Sequence, residues 1–374
     1  MHGAHPHWIH SRNARQGKGV SVIRLRIQAT RYPHWGKYSG VGQFARYLDS
    51  ERYRVTEHLA PDNDSGFPIP WKLLRDRLRD RVQNNGVAWY KLSDFAGEVK
   101  IMAGIAVGQA DIVHFLDGEH GIQFLPDWIT RLNTRRVRLV ASFHQPPHLL
   151  PELLNPAVLK KLDRIVLISP SQYPYFAAHV PPEKLVTILH GIDSIFFHPP
   201  ESRPTTGKFR CLTVGHWLRD WVAIAGAVER LKDHHEIEFH IVTNSTTGLE
   251  GRPNVHFHKN VNDLELRSLN QQADVILLPL TESTANNSLL EGMACGAPVI
   301  STSLLSLRTY VGPEAGILLE PNQGSQLAGV ILALQADPGR RAEMGSAARA
   351  RAMELAWTKI TREYETLYEA LLGG

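Results

Sequence analysis

The stretch that most limits how this chain can fold is residues 277–302, Leu-Leu-Pro-Leu-Thr-Glu-Ser-Thr-Ala-Asn-Asn-Ser-Leu-Leu-Glu-Gly-Met-Ala-Cys-Gly-Ala-Pro-Val-Ile-Ser-Thr. It reads as a buried strand ending at Pro279, a polar loop with Glu282, a short helix with Glu291, a stop at Gly296 and a new strand at 298–301. Two apolar strands joined through a helix call for a parallel sheet. A helix that starts beyond the carboxyl edge of such a sheet presents unpaired N–H groups and its positive dipole end, which suits phosphate. A carboxylate one turn further in can take two vicinal hydroxyls. Phosphate and a diol together are the needs of a nucleotide-sugar site.

The same grammar recurs along the chain. Residues 21–28 alternate as an opening strand, and residues 111–116, 138–143, 164–168 and 185–189 are short apolar runs, each ending in polar residues. The endings carry Asp117 and Glu119, His144, Ser169 and Ser171, and His190 and Asp193. Continuous apolar strands with polar ends mark an open parallel sheet whose ligand crevice lies outside the carboxyl ends, so His144, Asp117, Glu119 and His190 are expected around one cleft. Between the first strand and a helix predicted over 43–49 lies a glycine-bearing loop, residues 31–42, with Gly40 and Gly42. A strand, a glycine loop and a helix in that order bring backbone close to a ligand.

Residues 192–207, rich in Pro, Ser and Thr, are expected to be a linker. Beyond it the alternation restarts with strands at 209–214, 237–243, 255–258 and 274–278 and helices at 222–232 and 261–272. His216 and Arg219 follow the first of these strands, where a cation would meet a diphosphate, although Arg219 could equally pair with Asp220 or stack on Trp217. The last helix, 357–372, places Ile360, Tyr364, Leu367, Tyr368 and Leu371 on one face, which needs a surface to cover. With 374 residues the chain has material for two domains.

A net charge of +4 over this length does not call for nucleic acid, whereas a basic face serves a phosphorylated ligand or an anionic membrane. Residues 71–83 place Trp71, Leu74, Leu78 and Val82 at helical spacing among arginines, either a membrane-facing helix or a solvated one. Two cysteines, Cys211 and Cys295, have no spacing for metal or redox work, which fits a reducing, cytoplasmic setting. No apolar run is long enough to span a bilayer, and residues 1–20 read as a loose arm.

These residues resemble nucleotide-sugar glycosyltransferases of the GT-B fold, in particular the retaining family 4 group, the glycosyl transferases group 1. Leu289-Leu290-Glu291-Gly292-Met293-Ala294-Cys295-Gly296-Ala297-Pro298-Val299-Ile300 is similar to that family's Leu-Glu-Ala-Met-Ala-x-Gly-x-Pro-Val signature. His190-Gly191-Ile192-Asp193 with Phe197-His198-Pro199 resembles its Asn-Gly-Ile-Asp…Phe-x-Pro junction, and Ser39-Gly40-Val41-Gly42 resembles its glycine loop. The resemblance implies an α/β chain of two Rossmann-like domains facing across a cleft. Residues 21–195 would form the acceptor-side domain and 196–355 the donor domain, with 356–374 a helix packing back on the first.

The resemblance further implies that Glu291 binds ribose, that Asn287, Ser288 and Leu289 offer amides to the diphosphate with Arg219 and His216, and that Gly40 and Gly42 approach the donor phosphates. His144 would face the donor sugar with Glu282. Three departures stand out: eight residues rather than seven separate Glu282 from Glu291, so that Ser283 holds the strict position; His216 and Arg219 replace the usual Arg and Lys; and Ser-Thr-Ala-Asn-Asn replaces Gly-Phe-Gly. The implied reaction is retaining transfer from a nucleoside diphosphate sugar, by default a UDP-sugar, to a glycan or lipid-linked hydroxyl acceptor. No metal or other cofactor is implied, and peripheral contact with an anionic membrane on the cytoplasmic face is. A nucleotide-sugar epimerase and a degenerate donor-binding subunit are the alternatives.

Overall fold

The computed structural model of the chain describes residues 22–32, 36–83, 87–132, 137–202, 207–321 and 324–373. The arm expected at 1–20 lies outside the described residues.

Two six-stranded parallel sheets carry the architecture. The first comprises β1 (Ile23–Arg31), β2 (Tyr53–Pro61), β3 (Ile112–Phe115), β4 (Arg138–Phe143), β5 (Arg164–Leu167) and β6 (Leu185–Thr187), in the order β2-β1-β3-β4-β5-β6. The second comprises β7 (Phe209–Val214), β8 (Ile237–Val242), β9 (Val255–His258), β10 (Val275–Leu278), β11 (Val299–Thr302) and β12 (Gly316–Leu319), in the order β12-β11-β10-β7-β8-β9. The central strands β3, β4 and β10 are buried throughout or nearly so, as strands covered by helices on both faces must be. The α/β class and the two Rossmann-like units are those the resemblance implies.

Three local expectations change. β2 escapes sequence reading because, as an edge strand, it leaves polar residues such as Arg54, Glu57 and His58 outside the core. The helix expected at 43–49 is a tighter 3-10 segment, Val41–Tyr47, whose entry is fixed by Gly40 at φ 89°. The linker expected from Ile192 is packed at its start. Ile192 N–H donates to Leu355 O at 3.0 Å, Trp357 N–H donates to Ile192 O at 3.0 Å, and Phe197 is fully buried.

The C-terminal helix, Trp357–Gly373, crosses back onto the first domain. Tyr364 packs 4.8 Å from Phe44, Tyr368 Oη lies 2.6 Å from His114 Nδ1, and Arg138 Nε donates to Leu371 O at 2.9 Å. As a result, one apolar cluster runs from Leu25 and Ile27 of β1 through Trp357, Ile360 and Tyr364 to Leu212, Ile276 and Leu289. Each such large side chain, fully buried, contributes roughly 1.5–3 kcal/mol. The two domains therefore share a core instead of meeting through a loose hinge.

Candidate donor-binding cleft

The site is built from the loops that leave β7 and β10. Asp220 N–H donates to Pro279 O at 2.9 Å and Thr281 N–H to Leu218 O at 3.0 Å, so the two loops are stitched side by side. This seam holds Arg219 against the helix Asn287–Ala294. The Arg219 guanidinium curls back on its own loop, donating from Nε to Val214 O at 3.0 Å and from Nη1 to Trp217 O at 2.8 Å, while Nη2 lies 3.4 Å from Ser288 Oγ. Gly215, at φ 85°, permits the curl, because a Cβ there would stand 2.8 Å from Arg219 Nη2. Burial lowers the Arg219 pKa to about 10, with Glu291 pulling the other way, and the guanidinium stays charged at neutral pH.

The helix start narrows the expected set of amides. Asn286 is the N-cap and its side chain accepts from Leu289 N–H at 3.2 Å, so the Leu289 amide is already engaged. The amides of Asn287 and Ser288 have no acceptor among the described residues and remain for an anion. Leu289 itself is fully buried and serves the core. The exposed ring of His216 lies 5.4 Å from that of Trp221 and makes no hydrogen bond among the described residues. Arg219 is the side chain that reaches the helix start, at Ser288.

Glu291 lies one turn in, 2% exposed. Burial raises its pKa to about 7, with the hydrogen bond from Ser39 opposing the shift. Ser39 Oγ donates to Glu291 Oε1 at 2.5 Å, which brings the glycine loop of the first domain onto the second. The same loop is anchored at Lys37 N–H, which donates to Asp263 Oδ2 at 2.9 Å, and at Tyr38, whose ring stacks on Phe196 at 3.7 Å. Gly40, beside Ser39, needs its positive φ. Gly42 is exposed with open space where a Cβ would stand, so nothing in its packing calls for glycine.

Across the cleft, His144 is braced from three sides. Buried Glu119 accepts from the backbone N–H groups of His144 and, at 2.7 Å, Gln145; His144 Nε2 lies 2.6 Å from Leu116 O; and Thr284 Oγ1 donates to His144 O. A ring nitrogen facing a carbonyl must carry the proton, so the neutral ring keeps its Nδ1 lone pair. Asp117 accepts from Thr30 N–H at 2.8 Å and braces β1. His190 is buried against Trp357, 5.1 Å between rings, and burial lowers its pKa to about 3. Of the four residues expected around one cleft, His144 stands on the loop that meets the second domain, whereas Asp117, Glu119 and His190 are supports behind it.

Glu282 Oε2 lies against Nδ1 of His148, four residues beyond His144. Sequence reasoning missed His148, Asn286 and Ser39. A second histidine on the His144 loop and an Asn before the helix were readable signals, whereas nothing local ties Ser39 to a carboxylate 252 residues away.

Residues 210–337 match the family model for glycosyl transferases group 1. Among curated relatives, the MMP alpha-(1->4)-mannosyltransferase of Mycolicibacterium hassiacum is 27% identical over 206 residues, covering 52% of this chain and 50% of that protein. The D-inositol 3-phosphate glycosyltransferase of an Arthrobacter species is 33% identical over 106 residues, covering 28% of this chain and 25% of that protein. The chain thus spans half or less of the length of these relatives. Among solved structures, sucrose-phosphate synthase from Thermosynechococcus elongatus superposes with TM-score 0.69 at 17% identity, covering 94% of this chain and all of that one. HepE of Anabaena in complex with UDP superposes with TM-score 0.64 at 14% identity, covering 93% of this chain and all of that one.

Proposed function

We propose, from the premise that residues 210–337 belong to glycosyl transferases group 1 and that the chain has the GT-B fold, that this protein moves a sugar from a nucleoside diphosphate sugar to a hydroxyl acceptor with retention. One observation carries the reading: Arg219 Nη2 meets Ser288 at the mouth of a helix whose Glu291 lies one turn in. The diphosphate rests on the Asn287 and Ser288 amides and on Arg219. Glu291 accepts the ribose hydroxyls in place of Ser39 Oγ, and His144 meets the donor sugar.

Departure of the diphosphate breaks the anomeric C–O bond and places growing negative charge where the amides and Arg219 already point. The departing phosphate takes the proton of the acceptor hydroxyl on the same face as the new C–O bond forms, which preserves configuration. Because Arg219 and the helix start meet the diphosphate charge, no divalent ion is assigned to this step, and turnover is expected to persist in EDTA. Either Glu282, after leaving His148, or neighbouring Ser283 contacts the sugar; Glu282→Gln and Ser283→Ala separate the two.

UDP is the preferred donor nucleotide, supported by HepE structures containing UDP and UDP-glucose. The acceptor is a glycan or a lipid-linked glycan. Among the described residues no helix is long and apolar enough to cross a membrane, but Trp71 and Leu73, 71% and 81% exposed at the start of the Arg-rich helix Lys72–Gln83, suit peripheral contact with an anionic surface. Leu78 and Val82 of that helix pack inward instead.

The deciding experiment is a thermal-shift series with UDP-, GDP- and ADP-sugars, followed by radiolabelled donor with and without acceptor. One nucleotide class is expected to raise the melting temperature, and that rise is expected to vanish in Glu291→Ala. A new sugar nucleotide formed from donor alone would instead mean epimerisation. Tight binding with no product across acceptors would mean a donor-binding subunit.

A further inference from the structure

Away from the cleft, the outer strands of the second sheet carry a group of side chains that the transferase reading does not use. β8 and β9 pair in parallel with His240 opposite His256 and Val242 opposite His258. Side chains alternate along strands, so Glu238 and His240 of β8 share one face with His256 and His258 of β9. The intervening Phe239 and Ile241 turn to the other face and are buried in an apolar cluster.

The four polar side chains converge. Glu238 Oε2 lies 3.3 Å from His240 Nε2, and Glu238 Oε1 lies 3.9 Å from His256 Nε2. One ligand atom from each of Glu238, His240 and His256 can be chosen so that all lie within 4.8 Å of one another, and among the described residues no other group of His, Cys, Asp or Glu does so. His258 completes the arrangement through its Nε2, 3.0 Å from His240 Nδ1.

We propose that Glu238, His240 and His256 form a binding site for a zinc ion, with His258 orienting His240. This rests on neither the cleft nor the transferase reading. Tetrahedral zinc with N and O ligands near 2.0–2.1 Å places its ligand atoms about 3.3 Å apart, the separation already present between Glu238 and His240 and a small shift from that of Glu238 and His256. A metal-bound imidazole ordinarily donates its second N–H to an acceptor that fixes the ring. A carboxylate only accepts, so His240 Nε2 carries the proton towards Glu238 Oε2; a cation bound between them would replace that proton, with Nδ1–H then donating to His258 Nε2.

Lys208 Nζ and Arg210 Nε stand 3.7 and 3.8 Å from the Glu238 oxygens, beyond hydrogen-bond range. They balance the carboxylate charge and leave its lone pairs for the ion. Two histidines, one carboxylate and an open fourth position suit zinc better than calcium or magnesium, which take oxygen ligands. The ion would clamp edge strand β9 to β8.

The test is zinc titration by calorimetry of the full chain after dialysis against EDTA, comparing wild type with Glu238→Gln, His256→Asn and His258→Phe. His2, His5, His7 and His10 can also take zinc, so the quantity read is the equivalent lost in each variant. Glu238→Gln and His256→Asn are expected to lose one equivalent, and His258→Phe to bind it about 10- to 100-fold more weakly. Zinc is expected to raise the melting temperature of wild type more than that of His256→Asn, whose side chain is 45% exposed and can be replaced without disturbing packing. Equal stoichiometry and equal affinity in wild type, Glu238→Gln and His256→Asn would overturn the proposal.

Discussion

Ser39 of the first domain donates a hydrogen bond to Glu291 of the second, 2.5 Å from Oγ to Oε1, so a hydroxyl of the chain already occupies an oxygen of the buried carboxylate. A ribose that binds Glu291 has to displace that hydroxyl. Ser39→Ala is therefore expected to tighten donor binding. An intramolecular hydrogen bond is worth ~1 kcal/mol net, which makes the gain about five-fold in Kd. Calorimetric titration with the nucleotide identified by thermal shift checks this, and weaker binding in the variant would mean that Ser39 assists the donor.

Arg219→Ala is expected to lower kcat by about 100-fold or more, the usual cost of removing a donor aimed at developing negative charge. Donor dissociation constants and single-turnover rates separate lost binding from lost chemistry. Because Arg219 also ties down the Val214 and Trp217 carbonyls, Arg219→Lys serves as the partner variant: it keeps the charge but not the fork. Unchanged turnover in Arg219→Ala alongside loss in Glu291→Ala would remove Arg219 from the phosphate site.

The pH dependence of stability is expected to carry the mark of Glu291. Its carboxyl pKa is raised to about 7 by burial, so the folded chain binds its proton more tightly than the unfolded chain does. Stability on this account is greatest below the ordinary glutamate range and declines as pH rises towards 7. Glu291→Gln, neutral throughout, is expected to match wild type near pH 4 and to melt higher than wild type at pH 8. Asp94 and Glu98, both raised to about 8 by burial, keep part of the decline in the variant. Melting curves across this range, without donor, measure the difference.

Tyr368→Phe is expected to destabilise the fold by about 1–3 kcal/mol, because it leaves the buried His114 Nδ1 without its partner. His114 keeps Ser142 on its other nitrogen at 2.8 Å, so the ring stays in place. Trp357→Ala, a cavity at the domain junction, is expected to cost roughly 3–5 kcal/mol. Urea unfolding provides both values, and loss of activity without loss of stability in Tyr368→Phe would point to a different role.

The parallel sheets were legible because continuous apolar runs such as residues 138–143 have no alternative to burial on both faces. β2 was not, because an edge strand satisfies only half of that pattern. Proline and serine after Ile192 suggested a linker, yet Phe197 beside them is core, and composition alone cannot say which residues of a connection are covered. In the site, Glu291 could be found from the helix signature, and Arg219 from its place after a strand. The Asn286 cap that removes the Leu289 amide, and the Ser39 and His148 contacts, depend on how loops fold over one another, which periodicity does not encode.

The core shared between the sheets also orders events in time. The surface of the first sheet around Phe44 and His114 is covered by Tyr364 and Tyr368, and Tyr368 is made 254 residues after the His114 it contacts. During synthesis the first domain thus waits with this surface open until the helix Trp357–Gly373 emerges. Chaperone demand and sensitivity to premature termination are set by that helix, far in sequence from the surface it covers.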